Sequence, residues 1–366
     1  MKKILFILSA SFVAAPAVAG TLETDYAFEL NSYYGYTDYA KPYNKLHKQN
    51  NLNASFNAYG RLTYEFNTDY AASLIGYFMI DSAKKIENYN QGKWGEEIYS
   101  VIETPAGEFS FGQDYNVAYK FAVGAPNVGK YRVNNSDIVN FITNPNWYKK
   151  GSKMSYKTLN STYINTDGAS PKISYIMPSW KGIKLGATYV PETYSQTGLV
   201  AKDSPYKDKS AYILGAYGSW YLSGYELETS LGFADYDEND REYSVGISLY
   251  RKGWTIGASY RKTEADENRY ALNKENLYDA YREGQAYNIG ISYAIGPFTT
   301  GMSYFDSKAE HTKNRDKIIS FSNSWQYNKY ATFSLTVAHL KSIGQDSQTE
   351  NNSKGYAFIA GLELAI

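Results

Sequence analysis

Leu52-Asn53-Ala54-Ser55-Phe56-Asn57-Ala58-Tyr59-Gly60-Arg61-Leu62-Thr63-Tyr64-Glu65-Phe66 is the stretch whose reading decides the fold. Ala54, Phe56, Ala58, Leu62, Tyr64 and Phe66 share one parity, and Asn53, Ser55, Asn57, Arg61, Thr63 and Glu65 share the other. Successive side chains of a strand point to opposite faces, so this segment is a strand with one apolar and one polar face. Leu22 to Tyr36 repeats the pattern, with Leu22, Tyr26, Phe28, Leu30 and Tyr34 opposed to Glu23, Asp25, Glu29 and Asn31.

The rhythm continues along the chain. Strands are expected at 70–81, 97–104, 108–114, 172–177, 183–190, 210–222, 225–236, 242–251, 254–263, 285–295, 298–307, 317–327, 330–342 and 355–366. With the first two they make sixteen. Very short turns, Ser223-Gly224, Lys252-Gly253, Gly296-Pro297 and Asn328-Lys329, alternate with longer polar connections such as 263–284 and 343–354. One connection stands apart. Tyr115 to Ser170 is several times longer than its neighbours, and structureless connections beyond about 12–15 residues are uncommon and usually functional. Its apolar residues Phe121, Val123, Val128, Val133, Ile138, Val139, Phe141 and Ile142 need a surface to cover them.

The N-terminus sets the compartment. Met1-Lys2-Lys3, an apolar run from Ile4 to Val18 and Ala17-Val18-Ala19 have the layout of a secretory signal peptide, 1–19, cleaved after Ala19. The full chain has 37 basic and 37 acidic residues, so losing Lys2 and Lys3 leaves a mature chain with a formal side-chain charge of −2. No basic patch points to nucleic acid. With no cysteine, disulfide frameworks and thiolate metal sites are excluded.

After residue 19 no apolar run is long enough for a membrane helix, but barrel strands need only about 9–11 residues. Tyr at 39, Phe at 16 and Gly at 29 suit a barrel with aromatic girdles and small residues at crowded strand positions. The expected fold is therefore all-β, a transmembrane antiparallel up-and-down β-barrel of about sixteen strands in one domain, 20–366. An even strand count returns both chain ends to one side, and sixteen strands leave an aqueous lumen. The long connection, about 115–170, is expected to fold inward and constrict that lumen. Residues 152–160 could add a short strand.

Two segments carry a family resemblance. Gly107-Glu-Phe-Ser-Phe-Gly-Gln-Asp114, running into the long connection, resembles the glycine-framed strand before the constriction loop of Gram-negative general diffusion porins. Pro171-Lys-Ile-Ser-Tyr-Ile-Met-Pro-Ser-Trp-Lys-Gly-Ile-Lys-Leu-Gly-Ala-Thr-Tyr-Val-Pro-Glu192 resembles the hairpin after that loop. The resemblance implies a sixteen-stranded homotrimeric porin of the outer membrane, passing ions and small hydrophilic solutes by passive diffusion, with lipid and lipopolysaccharide as its surroundings. Two departures stand out. Gln113 occupies a position where members often carry Arg, and the chain ends Leu362-Glu-Leu-Ala-Ile366 where such barrels usually end on Phe.

The candidate pore-lining charges are Lys120, Lys130, Arg132 and Asp137 on the loop, and Arg61, Asp81, Glu103, Glu108, Asp114, Lys172 and Lys184 on strands. Inward acids outnumber inward bases, which in a narrow pore favours cations. A substrate-specific channel with an aromatic track for sugars is the competing reading, carried by inward Tyr33, Tyr59, Tyr77, Tyr217 and Tyr250. Most strand tyrosines fall on the opposite face. A structural or adhesive barrel with a plugged lumen is a third reading. Enzymatic chemistry has little to work with: His47, His311 and His339 are the only histidines, and no nucleophile–base constellation stands near them. Glu264, Asp266 and Glu267 match no calcium-loop spacing, and no cofactor is expected.

Overall fold

The computed structural model describes residues 20–39, 50–81, 97–129, 158–159, 161–168, 170–193, 209–236, 240–264, 283–310, 315–343 and 353–365. Among these, sixteen strands close into one barrel: β1 Thr21–Tyr39, β2 Asn50–Asn67, β3 Tyr70–Asp81, β4 Glu97–Thr104, β5 Gly107–Gln113, β6 Pro171–Ile176, β7 Ile183–Thr193, β8 Lys209–Leu222, β9 Tyr225–Tyr236, β10 Asp240–Arg251, β11 Trp254–Glu264, β12 Gly284–Ile295, β13 Phe298–Ala309, β14 Arg315–Asn328, β15 Ala331–Ile343 and β16 Ser353–Ala365. Each pairs with its sequence neighbours, without crossovers, and β16 closes antiparallel on β1 from Glu29–Ala365 to Tyr39–Gly355. Segment 1–19, where a signal peptide is expected, and residues 152–157 lie outside the described residues. Thr158 and Leu159 are not in a strand.

The wall is inverted relative to a soluble protein. Leu22, Leu214, Leu231, Ile289 and Phe321 are exposed on the outside, whereas Asn31, Thr63, Ser174, Thr188, Ser292 and Thr336 are buried inside. Large apolar surface continuous around a barrel suits hydrocarbon, and small polar groups suit a hydrated lumen. No described helix is long and apolar enough to cross a membrane; the crossing elements here are strands. Aromatic rows border the apolar band. Trp254 packs on Tyr293 at 4.5 Å and Trp325 on Phe333 at 5.5 Å toward the short turns. Toward the long connections, Tyr189 meets Tyr212 at 5.0 Å and His339 meets Tyr356 at 4.7 Å.

Two-residue turns set the register on one side. Lys181-Gly182, Ser223-Gly224 and Lys252-Gly253 all have positive φ at both positions, the mirror-image turn whose twist matches antiparallel strands. One expected turn shifts by a residue: the β14–β15 connection is Lys329-Tyr330. Asn328 Oδ1 accepts from the amides of Tyr330 (2.8 Å) and Ala331 (2.9 Å), which extends β14 through Asn328.

Candidate functional site in the barrel lumen

After β5 the chain turns inward. Asn116 caps a single helical turn, α1 Val117–Lys120, accepting from the Tyr119 amide at 2.8 Å. Its amide group is fully buried and donates to Ile164 O at 3.0 Å and to Asp167 Oδ1 at 2.6 Å, joining the outgoing and returning arms of the long connection. Stacked Tyr115 and Tyr119, centroids 4.3 Å apart, lie on the same turn.

From α1 to Gly129 the segment runs along the inner wall over a track of glycines. Gly186, Gly215 and Gly232 are directly opposite one another on β7, β8 and β9, and Gly257 faces Gly290 across β11 and β12. A Cβ at Gly186 would lie 3.0 Å from Val117 Cβ, at Gly215 3.0 Å from the Phe121 ring, and at Gly232 3.0 Å from Ala118 Cβ. Farther on, a Cβ at Gly290 would lie 3.1 Å from Ala125 Cβ and at Gly301 2.7 Å from Val128 Cγ2. At Gly246 and Gly257 it would collide with the carbonyls of Val123 and Gly124. The glycines let the loop backbone lie against the sheet, and neighbouring polar groups hold it there. Thr188 Oγ1 accepts from Val117 N at 3.1 Å, Ser230 Oγ from Val123 N at 3.0 Å, and Asn288 Oδ1 from Ala125 N at 3.0 Å. Phe121, Val123 and Val128 are buried in this way; Val133, Ile138, Val139, Phe141 and Ile142 lie outside the described residues.

The returning arm is clamped by buried ions. Arg261 on β11 is 2.8 Å from Glu242 on β10, and the two side chains are 2 % and 1 % exposed. The same guanidinium donates to Tyr163 O (2.7 Å), Asn165 Oδ1 (2.9 Å) and Thr166 Oγ1 (2.8 Å). Lys172 on β6 lies 2.6 Å from Asp167 Oδ2, an ion-pair contact, and donates to the carbonyls of Gly168 (2.6 Å) and Asp114. Asn288 Nδ2 also donates to Thr162 Oγ1 at 2.9 Å, so one wall residue grips both arms. Thr158 donates to Asp316 of β14, farther round the barrel. Behind the arms, Ala118 and Ile164 complete an inward apolar cluster with Val190, Ala211, Ile213, Ala234 and Tyr236. Leu159 packs on a second cluster that includes Tyr33, Phe305, Ile318 and Leu340.

The candidate charges separate into two groups. Arg61 pairs with Glu103 across the β2–β4 wall at 2.8 Å, both half-exposed to the lumen; Lys184 is exposed there, and Glu108 is partly so. Lys172 and Asp114 depart from expectation: both side chains are buried, because they hold the ends of the loop and do not face water. Lys120 pairs with Asp114 and lies 5.3 Å from the centre of the Tyr99 ring. Asp81 is the last residue of β3, and Lys130, Arg132 and Asp137 lie outside the described residues. Lys120, Tyr163, Lys184, Tyr217, Glu228 and Ser248 line a cavity of about 610 Å³ under the loop. Of the inward tyrosines, Tyr33 is buried within the wall and Tyr217 is bonded to Glu228, which interrupts a continuous aromatic track.

The sequence reading misses the glycine track, the Arg261–Glu242 clamp and the Asn116–Asp167–Lys172 junction. The glycines did leave a signal, an inward glycine in each of seven successive strands, but its meaning depends on knowing what lies against them.

Known proteins bear on this geometry. Residues 8–345 match the Gram-negative porin family. The anion-selective porin from Comamonas acidovorans superposes with a TM-score of 0.60 at 12% identity, covering 94% of this chain and 100% of that one. The trimer form of OmpT, an outer membrane protein of Vibrio cholerae, gives 0.59 at 11% identity with the same coverage, 94% and 100%. A mutant of the Rh. blastica porin gives 0.54 at 12% identity, again covering 94% and 100%. No curated protein matches. With a closed sixteen-stranded barrel and a family match over nearly its whole length, the chain belongs to the Gram-negative porins, multi-pass barrels of the outer membrane that form channels.

Proposed function

We propose that the channel passes ions and small hydrophilic solutes passively through a lumen narrowed by the loop after β5, with a weak preference for cations, and catalyses no reaction. The observation that carries the selectivity is burial. Lys172 with Asp167 and Arg261 with Glu242 are neutral pairs withdrawn from the lumen. What remains on the described inner wall is mainly acidic: Glu23, Asp25, Glu29, Glu65, Glu103, Glu108, Glu226 and Glu228, against Arg61 and Lys184. Rings of acids favour cations where a pore is narrow. Planar-bilayer recording in asymmetric salt tests this, and a reversal potential showing clear anion preference overturns it.

The working assembly is a homotrimer set in outer-membrane lipid and lipopolysaccharide. β4, β5 and β6 have 8, 7 and 6 residues, fewer than the about 9–11 a strand needs to span a bilayer. This low part of the wall is where the subunits meet, since a neighbouring barrel covers it better than lipid does. A heat-modifiable trimer on electrophoresis, with a thiol at Ile102 or Phe111 protected from reagent in the trimer, is the expected result. Free reaction of both positions in the intact assembly would refute the placement.

A further inference from the structure

The first and last strands meet at the β1–β16 seam, and one polar patch on its lumen face holds oxygens that no donor serves. Asn31 on β1 is directly opposite Glu363 on β16 and Ser55 on β2, and Glu29, two residues before Asn31, shares the same inner face. Asn31 is fully buried, and its Nδ2 donates to Ser55 Oγ at 3.3 Å. With the amide nitrogen turned toward β2, its oxygen is turned toward β16. There neither Asn31 Oδ1 nor Glu363 Oε1, both shut off from solvent, receives a hydrogen bond from the protein. A buried acceptor without a donor is costly, and a carboxylate oxygen more so than an amide oxygen.

Glu29 brings a second carboxylate to the patch. Asn57 Nδ2 donates to Glu29 Oε2 at 2.5 Å and so fixes the orientation of that carboxylate. Neither Glu29 nor Glu363 pairs with a Lys or Arg among the described residues. The residue opposite Glu29 on β16 is Ala365, and the one opposite Glu363 on β15 is Thr332, small neighbours that leave both acids room. On the loop side the Tyr33 ring closes the patch: a Cβ at Gly361, the next inward position of β16, would lie 2.4 Å from that ring. Neighbouring strands are about 4.8 Å apart and alternate residues of a strand about 6.8 Å, so the Cα atoms of Glu29 and Glu363 are roughly 8 Å apart, within reach of one shared ion.

We propose that Glu29, Asn31 and Glu363 bind a calcium ion across the seam, with water completing its shell. Two carboxylates and an amide oxygen are hard donors that suit calcium, whose flexible coordination accepts an irregular set where magnesium demands a near-ideal octahedron. The ion satisfies both unserved oxygens and offsets the repulsion between the two carboxylates. It also ties the first strand of the barrel to the last, so that closure of the ladder is coupled to cation binding.

The test uses the full-length porin purified as its native assembly, stripped with a chelator and returned to about 0.15 M KCl, where diffuse attraction to the acidic lumen is screened. Calcium binding is followed by isothermal titration, and the unfolding temperature is measured with calcium and with chelator. Wild type is expected to take one calcium per chain below about 1 mM free ion and to unfold at a higher temperature with it. E29Q/E363Q should bind about tenfold more weakly or worse and lose the calcium-dependent shift. E108Q/E226Q, which removes the same charge elsewhere on the inner wall, should behave as wild type. N31D should move the other way: its added carboxylate opposite Glu363 lowers the unfolding temperature in chelator and tightens calcium binding, so that calcium restores the loss. Absence of calcium binding by wild type, unchanged binding by E29Q/E363Q, or an N31D barrel that calcium does not rescue overturns the proposal. The first and last of these are the results expected if a reversed Asn31 amide donates to Glu363 and no ion is needed. If E29Q/E363Q does not assemble, E363Q takes its place under the same criteria.

Discussion

Replacing Arg261 by alanine should release the constriction loop while leaving the barrel closed. The guanidinium is 2 % exposed and donates to Tyr163 O, Asn165 Oδ1 and Thr166 Oγ1 as well as to Glu242. Removing it leaves a carboxylate only 1 % exposed without its cation. Breaking one partner of a buried ion pair costs about 3–5 kcal/mol. At 1.36 kcal/mol per tenfold, that is about two to four orders of magnitude in the docking equilibrium of the returning arm. The cost is avoided by undocking, which hydrates Glu242, whereas the sixteen-strand ladder has no such local escape.

The chain has no cysteine, so a single thiol can report on the arm. Ser161 is fully buried there, and Ser161→Cys is nearly isosteric. In S161C/R261A the thiol should react with a small hydrophilic reagent at least a hundredfold faster than in S161C, and single-channel conductance should rise. S161C/R261M/E242M, with both charges removed, should recover much of the protection, because an apolar pair in place of a buried ion pair is often neutral. A labelling rate unchanged within about threefold in S161C/R261A, with normal assembly, would refute the clamp. So would a charge-free double variant as labile as the single one.

Three further outcomes follow from the same geometry. Gly246→Val places a side chain into the Val123 carbonyl and should displace the loop, raising the solute size limit in liposome swelling, while Gly60→Ala, with no atom near the added Cβ, should change nothing. Deleting Gly129 to Asn140 should raise conductance and the size limit in a barrel that still assembles, and unchanged conductance would mean the loop is not the constriction. Lys184→Glu removes one of the few free lumen cations and should move the reversal potential further toward cation selectivity; no movement would place the selective zone away from the cavity under the loop.

The sixteen strands were legible from alternation alone, because a barrel between lipid and water imposes period two on every strand, as at Leu52 to Phe66. Most turns were legible for a related reason, since Ser223-Gly224 and Lys252-Gly253 supply the positive φ that two-residue hairpins need. The inward fold of the long connection could be argued from its length and its apolar residues. What alternation cannot convey is which inward residues meet water. Lys172 and Lys184 both fall on the inner parity of neighbouring strands, yet one is sealed against Asp167 and the other is exposed. Parity assigns a face, whereas burial on that face depends on where the loop comes to rest. The loop's course is set by contacts distant in sequence: Val117 on Gly186, Val128 on Gly301, Arg261 on Thr166. A glycine in a strand carries no mark of the backbone that will lie against it, so only the closed barrel turns seven inward glycines into a track.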